Sequence, residues 1–130
     1  MTFEELTEAV NNGKYFEIKP TDLRSQSTFN SYQVYKTQFS RATLLKKLKA
    51  EIEKSKKFWN RIPYSITFNK FPYDLLIDTN HWVLWTDVDQ DVANELIAAV
   101  YPNKQFVLVE NSANTKTIPE VRHYHLFMQR

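Results

Sequence analysis

The sequence predicts an α+β domain, with a helical N-terminal half packed on a small, mostly antiparallel sheet. Three observations predict it. Up to about residue 58, apolar side chains recur at three- and four-residue spacing within charged segments, the mark of helices that bury one face. From residue 59 onward, short aromatic and β-branched runs alternate with turn residues, and one helical pattern interrupts them. The chain of 130 residues has the length of a single domain. Residues 1–58 are thus the helical part of one unit, and residues 59–130 its sheet-containing part.

Each element has its own signal. Thr2 and Glu5 stand at capping-box spacing, with Phe3, Leu6 and Val10 behind them, so a helix is expected over 3–11 and stops at Gly13. Residues 15–26 read as an extended or looped stretch around Pro20. Ser27 opens a second helix whose apolar positions are Phe29, Tyr32, Tyr35 and Phe39, expected to pack against the sheet. Ser40 caps a third helix to about Lys56, with Leu44, Leu45, Leu48 and Ile52 on one face. Ile62–Phe68 reads as an edge strand or extended arm, because Pro63 cannot donate to a ladder. FPYDLLIDTN makes a turn. His81–Thr86 is a buried strand, and Asp87 caps a helix over 89–100. A strand follows over 106–110, then a polar loop over 111–120 and a last strand over 121–128.

Composition removes whole classes of chemistry. There is no cysteine, hence no disulfide, zinc ribbon, iron–sulfur ligation or cysteine nucleophile. The single glycine, Gly13, leaves no Walker loop or dinucleotide fingerprint, which need several glycines where backbone meets phosphate. Aromatic residues make up 15 % of the chain, which argues for a packed fold over a disordered one. A net charge of +2 does not announce a nucleic-acid binder. The lysines at 46, 47, 49, 54, 56 and 57 are interrupted by Glu51 and Glu53, and a solvated helix face accounts for them better than a nucleic-acid track. Asp87, Asp89 and Asp91 open like a calcium loop, but Ala98 stands where the bidentate glutamate belongs. The longest apolar stretch, Leu96–Tyr101, is far short of the about 20 residues that span a bilayer. Glu4, Glu5 and Glu8 are unlike a basic secretory leader. The expectation is a soluble, intracellular and most simply cytoplasmic protein with no cofactor; the sequence assigns no oligomeric state.

The histidines carry the chemical signal. His123 and His125 are two apart in an expected strand, so both imidazoles face one side about 6.6 Å apart, with Tyr124 on the reverse. His81, in the strand HWVLWT, can join the same sheet. Three imidazoles on one face make either a metal site or an anion site with a histidine nucleophile. Hydrogen-bonded structural histidines are the plain alternative.

The run ENSANTKTIPEVRHYHLFMQR, preceded by HWVLWT and a helix, resembles the core of the histidine-triad (HIT) superfamily. The resemblance implies a HIT-like sheet in which His81 opens one strand and Asn111 ends the next. It places His123 and His125 at the first two triad positions and makes His125 the nucleophile toward the α-phosphate of a nucleotide conjugate. The third triad position is Phe127, where the family has a phosphate-contacting imidazole. The same stretch is similar to the fungal N-acetylglucosamine-induced protein family, a domain of largely unknown function. That likeness rests on His81 to Trp85, an asparagine, and the run Lys116 to His125 (including Thr117, Ile118, Pro119 and Glu120). It covers roughly residues 58–130 and, loosely, the N-terminal half.

The resulting expectation is a site for a phosphorylated or nucleotide-like small molecule, with hydrolysis or transfer at phosphorus if the site turns over. His125 and His123 are the catalytic candidates. His81, Asn111, Lys116 and Arg122 are the ligand-binding candidates, the last two as countercharge. Arg24, in a loop before the helices, is in reach of an anionic ligand. Two alternatives stand beside this. One is a non-enzymatic module that binds protein or, less favoured, nucleic acid; the other is a metal held by His81, His123 and His125.

Overall fold

A computed structural model describes residues 1–110 and 121–130. The fold is α+β with an antiparallel sheet, as the sequence predicts. Helix α1 (Phe3–Asn11) begins with the expected capping box: the Thr2 hydroxyl accepts from the Glu5 amide and the Glu5 carboxylate accepts from the Thr2 amide. Gly13 follows at φ 69°, the left-handed region that glycine adopts without strain. The stretch expected to be extended contains a 3-10 turn (Tyr15–Glu17) and a one-turn helix, α2 (Pro20–Leu23). Proline at a first helical position explains this correction, since its fixed φ suits a helix start. Helix α3 (Gln26–Gln38) is capped by Ser25 and not opened by Ser27; the Ser25 hydroxyl accepts from the Thr28 amide. Ser40 caps α4 (Arg41–Lys54) as expected, but the helix ends two residues before Lys56.

The chain beyond α4 turns at once into strand. Strand β1 (Lys57–Trp59) pairs with β2 (Ile62–Phe68) across a two-residue turn, Asn60 and Arg61, both at positive φ. Strand β3 (Thr79–Trp85) follows, then α5 (Gln90–Val100), β4 (Phe106–Val109) and β5 (His123–Gln129). The sheet order is β1-β2-β3-β5-β4, every neighbour antiparallel. The edges are therefore β1 and β4, not β2. Pro63 is tolerated because pairing with β3 begins only at Ser65, and the Pro63 carbonyl accepts from the Thr86 hydroxyl instead. The cap of α5 is Asp89 rather than Asp87; its backbone carbonyl starts the helix while its carboxylate turns to Arg122.

The two faces of the sheet are covered differently. On one, Ala93, Leu96 and Ile97 of α5 close over Leu84, Leu108, Tyr124 and Leu126, all buried. On the other, α1, the 3-10 turn and α2 bring Leu6, Tyr15 and Leu23 onto Val109 and Phe127. Helices α3 and α4 cover the rest of this second face without a single fully buried residue. The aromatic positions of α3, expected to pack on the sheet, are only half-buried. No helix among the described residues is long and apolar enough to cross a membrane.

Candidate functional site

Strands β3 and β5 set the site by register. Trp85 lies opposite His123, Val83 opposite His125 and His81 opposite Phe127. Because side chains alternate along a strand, all six face the side covered by α1–α4, and Tyr124 faces α5. The sheet therefore brings the three histidines onto one surface. The His81 and His125 ring centroids are 5.0 Å apart and those of His123 and His125 are 6.2 Å apart.

The three imidazoles have different surroundings. His81 is 2 % exposed. Its Nδ1 accepts the Tyr73 backbone N–H at 3.1 Å, and its Nε2 is 2.8 Å from His125 Nδ1. Burial, followed by repulsion from His125 and the Arg24 guanidinium, pushes the pKa of His81 well below the usual histidine range, so it stays neutral. A neutral ring whose Nδ1 accepts an amide must carry its proton on Nε2. His81 therefore donates to His125 Nδ1. The Asn69 amide nitrogen, 3.4 Å from the same Nε2, is an outer contact, since the Asn69 side-chain oxygen is engaged by the Phe71 amide. His123 is held otherwise: its Nδ1 donates to the Val121 carbonyl at 2.8 Å, and its ring lies 4.7 Å from that of Trp85.

Phe127, where the family resemblance calls for a third histidine, is fully buried. Its ring stacks on His81 at 4.6 Å and on His125 at 6.0 Å, and tilts against Tyr15. It packs the histidines from behind and contributes no polar group.

Above His123 and His125 is a cavity of about 390 Å³, within the range of small-molecule sites. The two histidines, Thr67, Val83 and Trp85 form its floor. Tyr32, Tyr35 and Phe39 of α3, with Phe71, form an aromatic wall, and Leu44, Leu45 and Leu48 of α4 an aliphatic one. Tyr32 and Tyr35 each pack at a tilt against Phe71 with centroids 5.2 and 5.3 Å apart. Five cations reach the cavity: Arg24, Lys36, Arg41, Lys47 and Lys70. Lys70 is paired with Glu51 at 3.0 Å. Arg24 is half-buried, with its guanidinium over the rings of Tyr73 (4.7 Å) and Tyr32 (5.2 Å) and its Nε donating to the Phe71 carbonyl. Among the described residues no carboxylate pairs with Arg24.

The remaining sequence candidates fall elsewhere. Arg122 does not reach the cavity: on β5's approach it shares the parity of Tyr124, and its guanidinium binds Glu110, Asp89 and the Asp87 carbonyl. Asn111 and Lys116 lie outside the described residues, as does the run Thr117 to Glu120. His81 stands behind His125 and does not line the cavity. The metal alternative meets an obstacle in the 2.8 Å approach of His81 to His125, which uses the facing nitrogens for a hydrogen bond. Among the described residues no group of three or more histidine, aspartate or glutamate side chains is arranged to hold an ion. The sequence reading missed the segment Asn69–Tyr73, which supplies a wall ring, a cation and the amide that orients His81. Tyr32, Tyr35 and Phe39, expected as packing residues, wall the cavity; the hydroxyls of Tyr32 and Tyr35, which favour a wet edge, were the available signal, and Phe39 carries none.

Fold and site together define an α+β protein whose sheet presents paired histidines to a basic, aromatic-walled cavity. The chain belongs to the family described as Protein of unknown function (DUF3605), whose model matches residues 2–99. That match takes in Arg24, α3, α4 and His81 and ends before β4. A solved structure described as the crystal structure of HTC1 is similar to the chain, with a TM-score of 0.68 and 17 % identity, covering 99 % of this chain and 85 % of its own. Likeness at that identity concerns the fold alone. No curated protein matches the sequence.

Proposed function

We propose that the cavity binds a phosphorylated, ring-bearing small molecule of the nucleotide class. The observation that carries this reading is Arg24. Its guanidinium is half-buried, held between two tyrosine rings, without a carboxylate partner among the described residues, and set in the same cavity as His123 and His125. A cation pinned by its Nε and by ring faces keeps its geometry for a planar anion such as a phosphate face. The aromatic wall supports the ring-bearing half of the ligand, because a flat heterocycle gains about 1–3 kcal/mol per aromatic partner on which it stacks. A HIT-like kinship of the last strand is supported by the paired histidines and by His81. Phe127 at the third triad position favours binding over nucleotidyl transfer. An intracellular setting fits that ligand class.

The test is a thermal-shift and calorimetric titration with AMP, ribose 5-phosphate and inorganic phosphate on the wild type and Arg24→Gln. At a hundredfold excess over Kd a ligand stabilises the fold by about 2.7 kcal/mol, which raises Tm by roughly 10 °C for a domain of this size. The rise should disappear in Arg24→Gln. A flat response to all three compounds rejects the reading and favours the interaction module.

A further inference from the structure

Positive charge is concentrated at the cavity. Its lining holds five cations and one carboxylate, Glu51, an excess of four, whereas the whole chain carries a net charge of +2. Glu51 is already taken by Lys70 at 3.0 Å. Among the described residues no carboxylate pairs with Arg24, Lys36 or Lys47. These three are placed by aromatic faces instead. Lys36 Nζ lies 4.9 Å from the centroid of Tyr32, the ring that also carries the Arg24 guanidinium at 5.2 Å. Lys47 Nζ lies 4.3 Å from the centroid of Phe39. A ring face attracts a cation through its quadrupole and does not cancel the charge as a carboxylate does. Each cation thus gains a place and keeps its charge for an anion.

The rings that hold these cations form a row. Tyr32, Phe71, Tyr35 and Phe39 follow one another with successive centroids 5.2, 5.3 and 5.6 Å apart. Tyr32 and Phe39 are seven residues apart in the sequence, about 10 Å along α3 at the rise of a helix. Arg24 stands at one end of the row, over Tyr32 and Tyr73, and Lys47 at the other. Lys36, rooted between the two end rings on α3, reaches back over Tyr32. One phosphate on Arg24 is too small to answer Lys47 as well. Lys46 and Lys49 stay outside the cavity, as the solvated helix face predicts; Lys47 does not. We infer that Lys36 and Lys47 form a second anion subsite, so that the cavity selects a ligand with two or more linked phosphates, of the nucleoside diphosphate or triphosphate class, over a monophosphate. The inference rests on the binding reading above and narrows its ligand: one phosphate meets Arg24, and the next lies along the row toward Lys36 and Lys47. Neither the histidines nor Arg41 is needed for this preference.

Calorimetric titration of the whole protein with AMP, ADP and inorganic pyrophosphate tests this on the wild type, the double variant Lys36→Gln/Lys47→Gln, and Lys46→Gln. All three lysines are exposed, so the variants keep the fold. The wild type should bind ADP about tenfold more tightly than AMP, the gain expected of one further charge-assisted contact. In the double variant the two nucleotides should bind alike, with the AMP affinity unchanged. Lys46→Gln removes a charge from the same helix outside the cavity and should keep the wild-type preference. Equal affinities for AMP and ADP in the wild type overturn the second subsite while the binding reading stands. A preference for ADP that survives in the double variant, or falls as far in Lys46→Gln, overturns the role of Lys36 and Lys47. No binding of AMP, ADP or pyrophosphate overturns the binding reading and this inference with it. Pyrophosphate binding that is lost in the double variant, with neither nucleotide bound, upholds the subsite and overturns the ring-bearing half of the ligand. A short single-stranded oligonucleotide that displaces ADP and binds more tightly makes nucleic acid the occupant and overturns the small-molecule class.

Discussion

Acid should weaken this fold through His81, and the size of the effect follows from its surroundings. The imidazole is 2 % exposed, accepts the Tyr73 amide and faces His125, so the folded state holds it neutral far below the pH at which the unfolded chain protonates it. A base whose folded pKa is depressed contributes no pH-dependent loss above its unfolded value, about 6.5. Below that value the unfolded chain takes up a proton that the folded chain refuses, so stability falls as pH falls, by about 1.4 kcal/mol per pH unit, until the folded group itself titrates. Urea unfolding followed by tryptophan fluorescence, at pH 7.5 and 5.5, should therefore show a loss of about 1.4 kcal/mol from this residue alone. Other groups titrate over the same range, so the quantity that isolates His81 is the difference between wild type and His81→Gln. The variant should start less stable at pH 7.5, having lost the ring that stacks on Phe127 and packs at a tilt against Tyr73, and then lose less on acidification. Parallel pH profiles for the two proteins would refute the claim that His81 is kept neutral by burial.

Other substitutions separate the site from its supports. Phe127→Ala removes a fully buried ring that stacks on both His81 and His125, and should cost about 3–5 kcal/mol in urea unfolding; a cost under about 1 kcal/mol would mean the ring does not hold the histidines in place. Asp74→Ala removes the carboxylate that accepts from the Ser25 amide and from the Ser25 and Thr28 hydroxyls at the start of α3. It should cost about 1 kcal/mol and speed amide exchange in α3 more than in α5. Arg122→Ala breaks partly exposed ion pairs to Glu110 and Asp89 and should cost about 1 kcal/mol or less. Its AMP titration should match the wild type, and a loss like that of Arg24→Gln would show that Arg122 reaches the ligand after all.

Much of this architecture was legible because it rests on short-range periodicity. Ser40 and Thr2 sit where caps belong, and the two-residue alternation of β5 put His123 and His125 on one face before any strand was paired. The same alternation already spoke against Arg122, since residues 122 and 124 share a parity that 123 and 125 do not. Strand β1 was hidden because its hairpin turns through Asn60 and Arg61, at positive φ without the glycine that usually marks such turns. Helix α2 was hidden because a single turn has no period to detect. Tyr32, Tyr35 and Phe39 look the same in sequence whether they fill a core or wall a cavity; spacing fixes direction but not what lies opposite. The orientation of His81 could not be read at all, because the group that sets it is the backbone amide of Tyr73, and every residue but proline has one.

The unequal treatment of the two sheet faces is the strongest link between fold and site. Helix α5 buries Ala93, Leu96 and Ile97 completely, which suffices to hold it. Helices α3 and α4 are longer and bury no residue completely, so hydrophobic closure alone does not hold them. Their attachments are discrete: Asp74 at the start of α3, Phe71 between Tyr32 and Tyr35, Lys70 to Glu51, and the Ser55 hydroxyl to that of Ser65. All four reach the segment 69–74 or β2, and Tyr73 in that segment also orients His81. The helices that wall the cavity and the amide that orients His81 are thus fixed to one stretch of chain. A wet cavity leaves the half-buried faces of Leu44, Leu48 and Phe39 in contact with water, at a cost of about 25 cal/mol for each Å² left uncovered. A ring-bearing ligand of the proposed class would recover that free energy by covering those faces with its anionic end toward Arg24, so on that proposal the surface that weakens the unliganded fold would supply the affinity.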